Sequence, residues 1–103
     1  MQKQQQLFLE KDTLVSIDPQ KNRYRGYQIE MTKTKPQTIT TKWGRVEEDK
    51  KGNWKLKNKK WLGKKEIHLE EQELDEFDSE DVYRQILEQK RRRGYVDYSE
   101  LVV

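Results

Sequence analysis

Apolar and polar positions alternate through the first two thirds of the chain, and this alternation predicts a β-sheet. The clearest case is residues 38–46, where Ile39, Thr41 and Trp43 alternate with more polar neighbours. A period of two is the pattern of a half-buried strand. We therefore predict that this stretch forms the strand around which the sheet is organised.

The same alternation marks the other strands that we predict. Residues 24–31 place apolar side chains on one face and polar side chains on the other, and we expect this strand to pair antiparallel with residues 38–46. Weaker alternation predicts further strands at residues 7–10, extended or followed by 14–17, at 54–57, and around 66–69. Polar segments rich in turn-forming residues separate them.

One segment has the spacing of a helix. Four apolar residues between Val82 and Leu87 share one helical face. We expect Asp78 or Ser79 to cap the N-terminus of this helix, and Gly94 to end it. One main helix packed on one face of an antiparallel sheet of about four to five strands is an α+β fold.

Composition limits the size of the core. The 103 residues are 31% hydrophobic and 40% charged, which predicts a single small domain with a thin core. We expect one domain over residues 1–103, with a disordered start at residues 1–6 and a core over about residues 7–98.

Composition also limits the chemistry. There is no cysteine and one histidine, His68, so we expect no metal site, no cofactor and no enzymatic activity. No apolar run is long enough for a signal peptide or a membrane span. We therefore expect no membrane partner and an intracellular, cytoplasmic location, with association with the nucleoid as an alternative.

Charge is distributed unevenly along the chain. The net charge is only +3, but residues 21–65 carry fifteen basic and four acidic groups, a net +11. Residues 66–82 carry nine acidic and no basic groups, a net −9. A concentration of positive charge attracts polyanions. The alternative is that the two segments neutralise each other across the fold.

The tripeptide at residues 43–45 places an indole plate beside a guanidinium with five hydrogen-bond donors. Trp43-Gly44-Arg45 followed by Val46 resembles the signature of the WGR domain, a module of DNA-damage-responsive poly(ADP-ribose) polymerases and of short bacterial proteins. The flanks at residues 22–29 and 90–95 resemble the family as well, and the resemblance covers roughly residues 7–98. The family usually has glycine where this chain has Glu47.

The resemblance implies a DNA-binding module for duplex ends, nicks or damaged sites, with little base specificity. It implies that the Trp43 indole contacts sugar, although alternation alone favours burial of that indole in the core. We expect phosphate contacts from lysine and arginine side chains near Trp43 and at the end of the helix. The residues predicted to contact nucleic acid are Asn22, Lys42, Trp43, Arg45, Lys90, Arg91 and Tyr95.

Plainer interpretations remain open for several of these residues. Arg45 can pair with Glu47 or Glu48, and Asn22 can make a turn hydrogen bond. The lysines and tryptophans of residues 50–65 can form an amphipathic hairpin with its aromatic side chains inward. The rival function for the whole chain is a protein-interaction adaptor that docks onto a partner enzyme or regulatory domain, with the acidic segment binding a basic partner.

Overall fold

The computed structural model describes residues 8–32, 37–69, 76–99 and 101, which form an antiparallel sheet and one α-helix. The α+β fold predicted from the sequence is therefore confirmed. In chain order the elements are β1 (Phe8–Asp18), β2 (Arg23–Thr32), β3 (Thr38–Glu48), β4 (Trp54–Leu56), β5 (Gly63–His68), α1 (Glu76–Arg92) and β6 (Val96–Asp97). Short 3-10 turns at Pro19–Lys21 and Lys57–Lys59 follow β1 and β4.

Three strands pair with β3. Along one edge it pairs with β2, and along the other it pairs first with β5 and then, past residue 45, with β4. β1 pairs with the far edge of β2, and β6 adds two residues beyond β1. β3 is thus the central strand, as its alternation predicts.

The first core lies between the sheet and α1, on what we call the helix face. Side chains at alternate positions of β1, β2 and β3 pack there against Tyr83 and Leu87 of α1. The Tyr83 hydroxyl donates to Asp12 Oδ2 at 2.7 Å and approaches the carbonyl oxygen of Ile29 at 3.2 Å. Burial, followed by the bond to Asp12, raises the pKa of Tyr83, so this hydroxyl stays protonated and keeps its role as a donor.

A second core covers the opposite face of the sheet. It contains Val15, Val46, Leu56 and Leu101, with the partly buried rings of residues 54, 61 and 98 packed against it. Trp54 and Trp61 therefore point inward, as the amphipathic interpretation expects. The hairpin of that interpretation was wrong, because β4 and β5 each pair with β3 and not with each other. The few apolar residues of the chain are therefore divided between two cores, one on each face of the sheet.

The helix differs from its prediction at one end only. α1 begins at Glu76, so Asp78 and Ser79 lie inside it and neither is the N-cap, and that prediction was wrong. Acidic residues favour the positive end of a helix dipole, which suits an earlier start in this acidic segment. At the other end Gly94 has φ +98°, and the Tyr95 N–H donates to the Lys90 carbonyl at 3.1 Å, which confirms the predicted stop.

Two further differences concern the edges. β6 is a sixth strand that alternation did not predict, because two residues are too few to show a period. The expected disorder at residues 1–6, the loop around Pro36 and most of the acidic run before α1 fall outside the described residues. Among the described helices, none has the length and apolar character that crossing a bilayer requires.

Candidate nucleic-acid interface

On the helix face, β2 and β3 extend beyond the first core, and their side chains there form a polar site. Tyr27 pairs with Trp43 across these strands, and Arg25 pairs with Arg45 two residues further on. Positions two apart on a strand lie on the same face. Along the helix face, the apolar surface at Ile29 is therefore followed by the aromatic pair of Tyr27 and Trp43. The cationic pair of Arg25 and Arg45 comes next.

The position of the Trp43 indole depends on its cross-strand neighbour in β5. Trp43 pairs with Gly63, and a β-carbon at Gly63 would collide with indole atoms Cε2 and Cζ2. The ring therefore lies over a position that has no side chain, and 41% of the residue remains exposed. Its partial exposure is confirmed, while its contact with sugar stays a prediction.

A hollow of about 470 Å³ opens beside this indole, and we call it the Trp43 basin. Its volume lies within the range of small-ligand sites, roughly 300–1,000 Å³. It joins residues from four elements: β2, β3, β5 and the end of α1. Among the described residues no carboxylate lines it. Its cations are Arg25, Arg45, Lys65 and Lys90, and its aromatic rings belong to Tyr27, Trp43 and Tyr95.

The cations of the basin are uncompensated within the described part of the chain. None of the four has a carboxylate oxygen within 4.0 Å there. In particular Arg45 forms no ion pair with Glu47 or Glu48, the partners of its plainer interpretation. Like charges held together without counter-charges create a positive potential that attracts anions.

Lys90 has the least ordinary environment of the four. Its Nζ lies 4.5 Å from the ring centroid of Tyr27 and 5.5 Å from that of Tyr95. The two rings meet edge to face at 6.1 Å. Both distances from Nζ are within the range of cation–π contacts. Burial lowers the pKa of Lys90, and the charges of Arg93 and Arg25 lower it further.

The structure does not bring three of the predicted residues into the basin. Lys42 points to the opposite face, where its Nζ lies 3.6 Å from the Glu30 carboxylate. The Arg91 guanidinium donates to Asp97 Oδ1 at 2.9 Å, and that bond raises the pKa of Arg91. Asn22 ends the turn after β1, as described next. Nucleic-acid contact by these three residues stays a prediction without support from the basin.

Asn22 has a conformational role. Its φ of 52° is left-handed, a region in which asparagine is enriched, and its N–H donates to the Pro19 carbonyl at 3.1 Å. The turn interpretation is therefore confirmed. Asn22 lines a separate hollow of about 330 Å³ that shares Arg45 with the basin but also contains Glu47 and Glu48.

Sequence reasoning missed Arg25, Tyr27 and Lys65. The alternation of β2 places Arg25 on the face of Tyr27, so the sequence carried a signal for both. Lys65 was missed because β5 begins at Gly63, three residues before the strand suggested by the pattern at residues 66–69.

A larger concavity of about 680 Å³ lies at the other edge of the sheet, beside β1 and β6. Its charged lining is mixed, because Asp12 and Asp97 accompany Lys11. Carboxylates oppose the binding of a polyanion, so this concavity is a weaker candidate than the Trp43 basin.

Comparison with known proteins found no relative of this chain. The chain matches no protein-family model, no curated protein and no solved structure. Interpretation of the site therefore depends on the chemistry of the basin and on the motif that surrounds Trp43.

Proposed function

We propose that this chain is a WGR-like module that binds the DNA backbone at duplex ends, nicks or damaged sites, with little base specificity. The observation that carries the proposal is an exposed indole beside four cations that have no carboxylate partner among the described residues. The Trp43-Gly44-Arg45 motif and its flanks support the same function.

The basin offers different groups to the two parts of a nucleotide backbone. Arg25 and Arg45 lie side by side on paired strands, where their guanidiniums can bind neighbouring phosphate oxygens. The Trp43 indole offers an apolar plate to the adjoining sugar. Phosphate contacts fix position but do not read base sequence, so this arrangement favours backbone recognition.

An interruption in the duplex suits the basin better than continuous helix. A flat indole can stack on a sugar or base only where neighbouring nucleotides leave that surface free. Duplex ends, nicks and damaged sites leave such a surface. Bases inside an intact duplex are already stacked on one another.

Fluorescence anisotropy on a nicked duplex, a blunt-ended duplex and a dumbbell duplex closed by a loop at each end, at several salt concentrations, tests the proposal. If all four cations contact phosphate, the slope of log K against log salt approaches about −3.6. We expect tighter binding to the nicked and blunt-ended duplexes than to the closed dumbbell, which has neither a nick nor an end.

Trp43→Ala supplies the second measurement. Loss of one stacking contact is worth about 1–3 kcal/mol, or roughly 5- to 150-fold in affinity. An affinity that changes neither with salt concentration nor with this substitution would contradict the proposal. Capture of a partner protein that survives nuclease treatment, with no affinity for any duplex, would support the adaptor function instead.

A further inference from the structure

The basin contains two amines in very different surroundings. Lys65 is exposed on β5, whereas Lys90 is half-buried with its Nζ against the rings of Tyr27 and Tyr95. No carboxylate within ion-pair distance in the described structure holds Lys90 in its charged form. An amine is nucleophilic only when it is unprotonated, and a desolvated lysine near other cations is activated in this way.

The groups that face Lys90 all act on its charge. Arg25 approaches from β2 and Arg93 from the end of α1, and both favour the neutral amine, as burial does. The tyrosine rings oppose them through cation–π attraction. Burial, followed by the charges of Arg93 and Arg25, lowers the pKa of Lys90 below that of an exposed lysine.

The proposed function brings a deoxyribose next to this amine. An intact deoxyribose has no carbonyl group, but a nucleotide that has lost its base opens to expose an aldehyde at C1′. The vacated base position also provides space for the exposed indole of Trp43. We propose that Lys90 condenses with the C1′ aldehyde of an abasic site to form an imine, an inference that rests on the proposed DNA binding.

The atoms and electrons of this step balance without an added reagent. The Nζ lone pair attacks C1′, a C–N bond forms, and the carbonyl electron pair moves onto oxygen. The two protons lost from the amine nitrogen are transferred to that oxygen, the C–O bond breaks as water leaves, and the nitrogen electron pair forms the second bond of the C=N group. The product is a reversible imine, and nothing is oxidised or reduced.

Borohydride trapping tests the proposal with a duplex that carries one abasic site. Borohydride delivers hydride to the imine carbon and converts it to a stable secondary amine, so the complex survives a denaturing gel. We expect a single crosslink that peptide mapping places on Lys90, although the chain has fifteen lysines.

Two variants make the test specific. Lys90→Arg keeps the positive charge but removes the amine, so we expect loss of the crosslink. Lys64→Ala is the matched control, because Lys64 lies on the opposite face of β5, 3.7 Å from Glu66, and we expect the crosslink of the unmodified protein. Far-ultraviolet circular dichroism would show whether both variants are folded.

The outcomes separate this inference from the proposed function. Anisotropy on a nicked duplex without an abasic site measures binding alone. Binding without a crosslink, a crosslink that survives Lys90→Arg, or one that maps to Lys65 would overturn the role of Lys90 and leave DNA binding intact. Failure to bind any duplex would overturn both.

Discussion

The indole of Trp43 lies over Gly63, its cross-strand neighbour, so the most exposed aromatic ring of the basin rests on a residue without a side chain. Trp43 also accepts a hydrogen bond through its carbonyl from the Leu62 N–H at 2.7 Å. The position of the ring is therefore set by a glycine that contributes no chemistry to the site.

Gly63→Ala should displace the indole and weaken DNA binding. The new β-carbon would overlap the ring, and the ring can move more easily than the backbone of β5. We expect a loss of affinity approaching that of Trp43→Ala, about 5- to 150-fold. Anisotropy measures the affinity, and a shift in tryptophan emission reports the movement.

The matching control places Gly63→Ala in a Trp43→Ala background. If the glycine acts through the indole, the second substitution should add little to the first, a non-additivity that a double-mutant cycle measures. Fully additive losses would show that Gly63 affects binding by another route.

The paired arginines should contribute separately to the salt dependence. Arg25→Ala and Arg45→Ala should each reduce the magnitude of the salt slope by about 0.9, the contribution of one phosphate contact. Arg45→Lys should retain the slope but lose affinity, because lysine keeps the charge and lacks the two-pronged guanidinium.

Arg84→Ala is the control for these substitutions. Arg84 lies on α1 with its guanidinium 3.0 Å from Asp81, outside the basin, and it changes the net charge by the same amount. An equal change of slope in this variant would show that binding follows net charge and not the arginines of the basin.

Tyr83→Phe should destabilise the fold without altering the basin. The substitution removes a hydroxyl that donates to Asp12 across the first core. A hydrogen bond to a charged group suggests a cost of about 1.5–3 kcal/mol in the free energy of unfolding, measured in urea. Tyr24→Phe is the control, since its hydroxyl has no hydrogen bond within the described structure, and we expect little change.

Glu10→Gln should reveal one component of the pH dependence of stability. Burial, with the nearby charges of Asp12 and Glu80, raises the pKa of Glu10 above its ordinary 4.5. The folded state therefore binds this proton more tightly than the unfolded state, and ionisation of Glu10 lowers stability as pH rises above about 4.5.

The variant should accordingly gain stability relative to the original protein as pH increases through that window. Urea unfolding on both proteins between acidic and neutral pH gives the difference. A constant difference, or one that shrinks with rising pH, would contradict the role assigned to Glu10.

Much of the fold follows from local patterns in the sequence. β2 and β3 could be predicted because their apolar side chains alternate with more polar ones, even though residues 26–31 of β2 are buried on both faces. The helix stop could be predicted because Gly94 adopts a backbone conformation that favours glycine. The start of α1 could not, because Asp78 and Ser79, the capping residues that the sequence suggests, lie inside the helix.

The site was predictable only in part. Trp43 and Arg45 share a face of β3 by simple alternation. The same rule places Lys42 on the other face, so the prediction that Lys42 belongs to the same site as Trp43 did not follow from the alternation. The approach of Lys90 to Tyr27 depends on how α1 docks on the sheet. The periodicity of α1 or of β2 alone cannot predict that Lys90 approaches Tyr27.

The second core has a practical consequence for recombinant fragments. Leu101 is 8% exposed within that core, and it lies so close to Gly26 that a β-carbon there would be 2.8 Å from its Cδ1. The opposite surface of the same β2 segment carries Arg25 and Tyr27 into the basin. We therefore expect a fragment truncated after residue 98 to disturb the Trp43 basin from the opposite face of the sheet, and a C-terminal purification tag belongs on a flexible spacer beyond Val103.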